Sequence, residues 1–473
     1  MSAIEVIDAA IDRLSSFVFF TVSVGGIDIQ LIVLWLAFAM VFITFWLGVP
    51  QVRGFSEAWR ILRGRYFDPD APGEVTQFAA LSTALSGTIG LGNIAGIGVA
   101  LTVGGPGAIF WMFIIGIFAM GLKCAEVTLG LMYREILPGG RVKGGAWVTM
   151  ERGLGSLGWP RLGRGLGLFY ALLMIGGSLS LFQVNQAYPP MAEQLGFDNR
   201  LAFGIVFAVM VALVLLGSIR WIGRATSVLV PAMSFIFMAG CLSIIFFNLE
   251  RVPGAIGLIV SEAFNTQSVF GGMLGAFVTG MRRAIYSCEA GLGTAVAAHA
   301  QAKTRHPASE GLVALIEPFM DTVVMCTITG IAFVVADTWN PATNGGLEGV
   351  AIATAAFATI SAWFPMLLAV AVFLFAYATV IANGFYAAEA FQHLVGHGRR
   401  REFFIKLAFC CILPLGAILE LGKIVDFVDS VYFLMAIPNI IAVYMLAKPL
   451  RAEMNKYLAW RRQVELQGAE QNG

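Results

Sequence analysis

Gly90-Leu91-Gly92-Asn93 interrupts a long apolar segment in the first half of the chain, and Gly291-Leu292-Gly293-Thr294 interrupts one at the matching place in the second half. A helix crossing lipid has little use for a glycine at every second residue. Each weakens it by about 1 kcal/mol relative to alanine, and no water replaces the backbone hydrogen bonds that are lost. Matched, glycine-broken hydrophobic segments in two halves of a chain point to a secondary transporter, in which unwound backbone at the membrane midplane forms the binding site.

Composition sets the broad class around these two breaks. The chain is 58% hydrophobic and 12% charged, with a mean hydropathy of +0.80. Soluble domains carry about 25% charged residues, so this is a polytopic membrane protein. Runs of about 20 apolar residues span the hydrocarbon core. They fall at 27–49, 76–104, 106–133, 165–190, 199–218, 221–248, 270–301, 308–336, 363–395, 403–421 and 427–447. These predict an all-α protein of eleven transmembrane helices, numbered 0 to 10. Shorter apolar pieces at 144–153 and 346–360 read as amphipathic or re-entrant segments ahead of helices 3 and 8.

The basic residues test this count, because lysine and arginine concentrate in cytoplasmic loops. With the N-terminus outside, most of the 30 basic residues fall within, including the clusters at Arg60 to Arg65, Arg134 to Lys143 and Arg399 to Arg401. Only Arg13, Arg200, Arg251 and Lys423 lie in outer loops. Helix 1 then enters from the cytoplasm and helix 6 from outside, so two five-helix repeats have inverted topology. The expected division is an extracytoplasmic tail (1–26), an extra N-terminal helix (27–49), a first repeat (76–248), a second inverted repeat (270–447) and a cytoplasmic tail (448–473). No cleavable leader is read at the N-terminus, where Glu5, Asp8 and Asp12 stand without a basic cluster.

If residues 85–96 unwind, the freed carbonyls can ligate a hard cation. The amides opening the resumed half-helix can bind an anionic group such as an amino-acid carboxylate. Close helix packing through small residues is the alternative for one such segment alone.

Several stretches resemble the alanine or glycine:cation symporter family. They are Thr83 to Gly96, Gly104-Gly105-Pro106-Gly107-Ala108-Ile109-Phe110-Trp111, Lys123-Cys124-Ala125-Glu126 to Glu135, Glu289 to Gly293, Ala298-His299-Ala300, His306-Pro307 and Asp321-Thr322. The resemblance runs from about residue 76 to 395. It implies a leucine-transporter-type fold of the APC superfamily, with broken helices 1 and 6, that moves a small neutral amino acid with sodium by alternating access. By the same resemblance, the amides of Leu91 and Gly92 face the substrate carboxylate. Gln183, Ile285, Cys288, Thr379 and Asn383 complete the substrate pocket. Sodium is held by the carbonyls of Ser86, Ile89 and Phe375 and the hydroxyl of Thr379. The chain departs from the family pattern in having Leu91 for Thr, Cys288 for Asn, Ala378 for a hydroxyl residue and Asn383 for a pocket Trp. The last change implies a substrate larger or more polar than alanine.

Charges at membrane depth are costly and mark functional candidates. Lys123 and Glu126, spaced i and i+3, can pair on one helical face, as a structural tie or a functional element. Arg282 and Arg283 can close the site from outside on Asp426 or Asp429, or face outer water. Glu289 reads as a cap on freed helix 6 amides. Glu289 or Asp321 carries a proton if coupling is to protons rather than sodium. His299 and His306 read as solvated or capping.

Other classes find less support. Four histidines, none in an HExxH spacing, argue against an embedded enzyme, and a channel would not exchange substrate saturably. Six cysteines in apolar stretches give no disulfide framework. The expected surroundings are a bacterial inner membrane, a small amino-acid substrate and the lipid bilayer. Nucleic acid and an obligate protein partner are not expected.

Overall fold

The structure is a computed structural model that describes residues 3–24, 27–138, 140–196, 198–217, 219–266, 272–340, 342, 344–396 and 398–472. Among them, six helical stretches are long and apolar enough to cross a membrane. These are Gly107–Tyr133, Pro160–Leu195, Ile219–Phe247, Pro307–Ala336, Phe364–Val395 and Leu421–Met445. The shorter apolar helices Leu31–Trp46, Ala95–Gly104 and Arg200–Leu215 pack with them.

The first apolar segment that carries a glycine break is divided. Gln77–Thr88 opens on Thr76, whose hydroxyl accepts the Ala79 amide, a normal N-cap. It stops at Ile89, a single turn follows at Leu91–Asn93, and the helix resumes as Ala95–Gly104. The second break follows Gly272–Cys288. There Glu289 (φ 52°), Gly291 (φ 90°) and Gly293 (φ 75°) take left-handed backbone. Glycine adopts such φ freely, whereas a side chain there is strained, so the glycines allow the chain to leave the helix before Val296–His299.

Further features depart from a string of uniform spans. The stretch expected as one helix over 165–190 is two, Pro160–Gly177 and Leu181–Leu195, parted at Ser180 with φ 57°. An unforeseen helix, Val252–Phe264, packs on Gly107–Tyr133. A π-helical stretch, Phe319–Cys326, interrupts the segment after the second break; such widenings are frequent at functional sites. The N-terminal tail forms a helix, Ala3–Val18, and a hairpin that pairs Thr21–Val24 with Ile27–Gln30. The C-terminal tail is the helix Ala447–Asn472. Its Leu450, Met454 and Tyr457 are buried, the last two against Phe55–Leu62 and Pro307–Val313.

Candidate functional site

The Leu91–Asn93 turn lies at the centre of the bundle, contacted by Leu181–Leu195, Gly272–Cys288, Phe319–Cys326 and Phe364–Val395. Its hydrogen bonds explain what the break exposes. The Gly90 amide would bond Ser86 in a continuous helix, but it donates to Asn93 Oδ1 at 3.1 Å. The Asn93 amide would bond Ile89, but it donates to Gly90. The carbonyls of Ser86 and Ile89 therefore lose their helical partners. The amides of Leu91 and Gly92 find no backbone acceptor in Gly87 or Thr88 among the described residues.

Phe364–Val395 faces this opening. Thr379 is buried, and its hydroxyl has no partner among the described residues. A Cβ on Gly90 would fall 2.6 Å from that hydroxyl, so only glycine admits this approach. Tyr386, two turns further along, places another unpartnered hydroxyl beside Gly87. The freed carbonyls of Ser86 and Ile89 and the orphaned Thr379 hydroxyl, together with the Phe375 carbonyl one turn before Thr379, fit a hard cation. Such ions take oxygen ligands. Ala378 is buried and supplies no side-chain oxygen.

Ile285 and Cys288 are fully buried at the end of Gly272–Cys288, and Gln183 is buried at the start of Leu181–Leu195. Asn383 is buried and donates to Ser180 Oγ at 2.9 Å, which ties Phe364–Val395 to the residue that opens Leu181–Leu195. Asp321 bridges both breaks. Its carboxylate accepts from Asn93 Nδ2 at 2.6 Å, and from the hydroxyls of Ser287 and Thr322 at 2.7 Å each.

Two of the charged residues find partners other than those expected. Lys123 Nζ lies 3.1 Å from Glu317 rather than on Glu126, because Glu126 turns to Asn439, whose amide also reaches the Gly291 carbonyl at 2.9 Å. The Glu289 carboxylate takes the hydroxyls of Thr294 and Tyr432 instead of capping helix amides. His299 is neither solvated nor a cap. It is completely buried between Glu310 (2.7 Å) and Glu317 (3.4 Å). Gln77 extends the row by donating to Glu310 at 2.9 Å. His306 lies with its ring 4.0 Å from Trp460.

Both ends of the site are covered. On one side, Arg282 (3.0 Å) and Arg283 converge on Asp429, above a layer in which Tyr286 stacks on Tyr432 and meets Phe182 edge-on. Of the two expected acids, Asp429 is the one engaged. On the other, Arg134 donates to the carbonyls of Ala300 (2.6 Å), Ala302 (2.7 Å), Pro72 (2.8 Å) and Thr304 (3.0 Å). Val75 pairs with Ala302 beside it, so the lead-in to Gln77–Thr88 is tied to the end of the second broken segment. At this exposed rim, Arg305 at 2.6 Å from Asp68 holds its carboxyl below the usual carboxylate range.

Glu310, Glu317 and Asn439 were legible as polar residues inside apolar segments, and the spacing of seven between the glutamates places them on one helix face. The fourfold role of Arg134 had no signal beyond its charge.

Two broken segments meeting in a closed, polar bundle core define a secondary transporter of the leucine-transporter type, and known proteins agree. The fold is shared with the crystal structure of MhsT in complex with L-phenylalanine, at a TM-score of 0.56 and 14% identity over 81% of this chain and 98% of that one. Residues 15–471 match the sodium:alanine symporter family, and the chain belongs to it. It is a membrane transporter of the amino-acid symporter class, not an enzyme. Among its relatives, the sodium/alanine symporter AgcS of Methanococcus maripaludis is 34% identical over 88% of this chain and 92% of its own. The probable sodium/glutamine symporter GlnT of Bacillus subtilis is 30% identical over 90% and 87%.

Proposed function

We propose that this transporter carries a small neutral amino acid, with sodium as coupling ion, through eleven transmembrane helices arranged as one extra helix (Leu31–Trp46, which begins after the Ile27–Gln30 strand and so is shorter than the expected 27–49) and two inverted repeats (76–248 and 270–447). The amino terminus (1–26) lies outside a bacterial inner membrane and the tail (448–473) inside. In this reading the amides of Leu91 and Gly92 take the substrate carboxylate. Gln183, Ile285, Cys288, Thr379 and Asn383 shape the pocket. The carbonyls of Ser86, Ile89 and Phe375 and the Thr379 hydroxyl take sodium. Asn383, polar and shorter than tryptophan, favours a substrate larger or more polar than alanine.

The observation that carries the sodium reading is the unpartnered Thr379 hydroxyl beside Gly90, where helical bonding of Ser86 and Ile89 is also lost. Alternating access follows from the two covers, Arg283 with Asp429 on one side and Arg134 on the other, opening in turn. The test is uptake of labelled L- and D-amino acids into proteoliposomes under an inward sodium gradient, an inward proton gradient, or neither. Sodium-driven accumulation supports this reading, and accumulation driven by protons alone overturns it.

One observation favours a second reading, in which protons are the coupling ion. Four carboxyl groups, Glu126, Glu289, Glu310 and Glu317, are buried together with a single lysine, Lys123, and the imidazole of His299. Unpaired charge at such depth is expensive, so this cluster suits proton storage.

A further inference from the structure

One cavity at the end of the bundle that carries most of the basic loops belongs to neither the site nor its covers. It has a volume of about 440 Å³ and is lined by Arg141, Leu216, Gly217, Arg399, Glu402, Phe403 and Lys406. Its charges are unequally satisfied. Lys406 is buried, 2.6 Å from Glu402, and donates to the Gly217 carbonyl at 3.1 Å, so the one carboxylate of the cavity is already neutralised. Arg401, beside the cavity, is turned back onto the carbonyls of Val395 and Gly396. Arg141 and Arg399 remain exposed, and among the described residues neither has a carboxylate within 4 Å. Two guanidinium groups without a carboxylate in contact, Arg141 in a loop and Arg399 at the first position of the helix Arg399–Ile418, thus line one concavity.

The rim of this cavity is apolar and uncovered. Phe403 and Leu216 line it, and Phe404 and Trp221 stand close to them in sequence, 65% and 50% exposed. In a membrane protein such side chains at a helix end meet acyl chains and the interface. Guanidinium groups recognise phosphate oxygens in a planar, two-point manner, and basic pockets between transmembrane helices take acidic lipid headgroups. A soluble anion could meet the arginines but would gain nothing from the apolar rim.

We propose that this cavity is a binding site for the phosphate headgroup of an acidic phospholipid, held by Arg141 and Arg399, with its acyl chains along Leu216, Phe403 and Phe404. The site does not depend on which ion is coupled to transport, nor on the side of the membrane that this end of the bundle faces.

The test is native mass spectrometry of the full chain, released from detergent with phosphatidylglycerol and phosphatidylcholine at equal mole fraction. The wild type should retain phosphatidylglycerol preferentially. The variant Arg141→Ala/Arg399→Ala should lose about 30-fold in that retention, from about 1 kcal/mol per basic side chain, with phosphatidylcholine unchanged. Each single Gln variant should lose about fivefold on the same basis, which serves if the double variant does not fold. Arg141→Lys/Arg399→Lys should recover much of the retention. Equal retention of the two lipids by the wild type overturns the proposal, as does undiminished phosphatidylglycerol in the variants. Millimolar inorganic phosphate should not displace the lipid. Displacement would reassign the cavity to small anions and overturn the lipid.

Discussion

Lys123 and Glu317 are both completely withdrawn from solvent and face each other with the ammonium nitrogen 3.1 Å from the carboxylate. The pair joins Gly107–Tyr133 to the segment that begins at Pro307, and through His299 it reaches the far side of the second break. Removing one member of a buried pair strands the other charge, at a cost of about 3–5 kcal/mol. Replacing both by apolar groups is often near neutral. Glu317→Gln should therefore destabilise the protein by about 3–5 kcal/mol, and Lys123→Met in the same chain should restore most of the loss. Thermal unfolding in detergent measures both; a double variant no more stable than Glu317→Gln would show that the pair is not the unit.

Thr379 places its unpartnered hydroxyl against Gly90. If that oxygen ligates sodium, Thr379→Val keeps the side chain's shape and removes the ligand. Interactions of a neutral group with a charge are worth about 1.5–3 kcal/mol, so half-saturation by sodium should rise about tenfold to a hundredfold. Thr379→Ser should stay near the wild type. The readout is sodium dependence of uptake at fixed substrate, and an unchanged half-saturation in the valine variant would remove Thr379 from the ion site.

The breaks, their pairing and the freed carbonyls were legible because alternate glycines inside an apolar run weaken a helix exactly where lipid offers its backbone no other partner. The same sequence did not show the division at Ser180. A left-handed serine is set by its surroundings, here the Asn383 amide that bonds its hydroxyl. Partner choice at Lys123 also lay outside the local pattern. Spacing of i and i+3 identifies who can meet along one helix, whereas Glu317 arrives from another segment 194 positions further along, and tertiary packing decided between them. For Glu289, the nearest donors came from Thr294 and from Tyr432 on a distant helix, which no local pattern reveals.

Asn383 is buried and bonded to Ser180. If Asn383 lines the substrate pocket as proposed, Asn383→Trp would fill it with a large ring and remove one donor and one acceptor. Competition by larger or polar amino acids should fall about tenfold or more relative to alanine, since a buried polar group deprived of its partner costs about 1–3 kcal/mol. Uptake of labelled alanine against an unlabelled panel gives the ratio. An unchanged ranking would place the selectivity elsewhere.

Arg283 and Asp429 close one face of the site above the Tyr286 and Tyr432 rings. Arg283→Gln should weaken that closure and raise alkylation of the buried Cys288 by an impermeant thiol reagent added from the side that Arg283 faces, the outer side in the proposed topology, in a background where the exposed Cys411 is serine. About tenfold faster labelling is expected for the loss of one charged contact. Protection by substrate would confirm that Cys288 reports the pocket, and labelling at the wild-type rate would show that the aromatic layer alone seals this face.

Arg134 is the counterpart on the opposite face, and its geometry sets a stricter condition. Four carbonyls from two segments converge on one guanidinium at 2.6–3.0 Å. Lysine offers three donors about a point and cannot reproduce that planar fork. Arg134→Lys should thus behave nearly as Arg134→Gln does. Both should increase Cys288 labelling from the side that Arg134 faces, the cytoplasmic side in the proposed topology, about tenfold while leaving labelling from the opposite side unchanged. Combining Arg134→Gln with Arg283→Gln should expose Cys288 from both sides and lower the accumulation ratio, because a site open to both compartments dissipates the gradient it uses. If Arg134→Lys instead retains wild-type protection, charge alone holds the inner cover and the four-carbonyl geometry is incidental to closure.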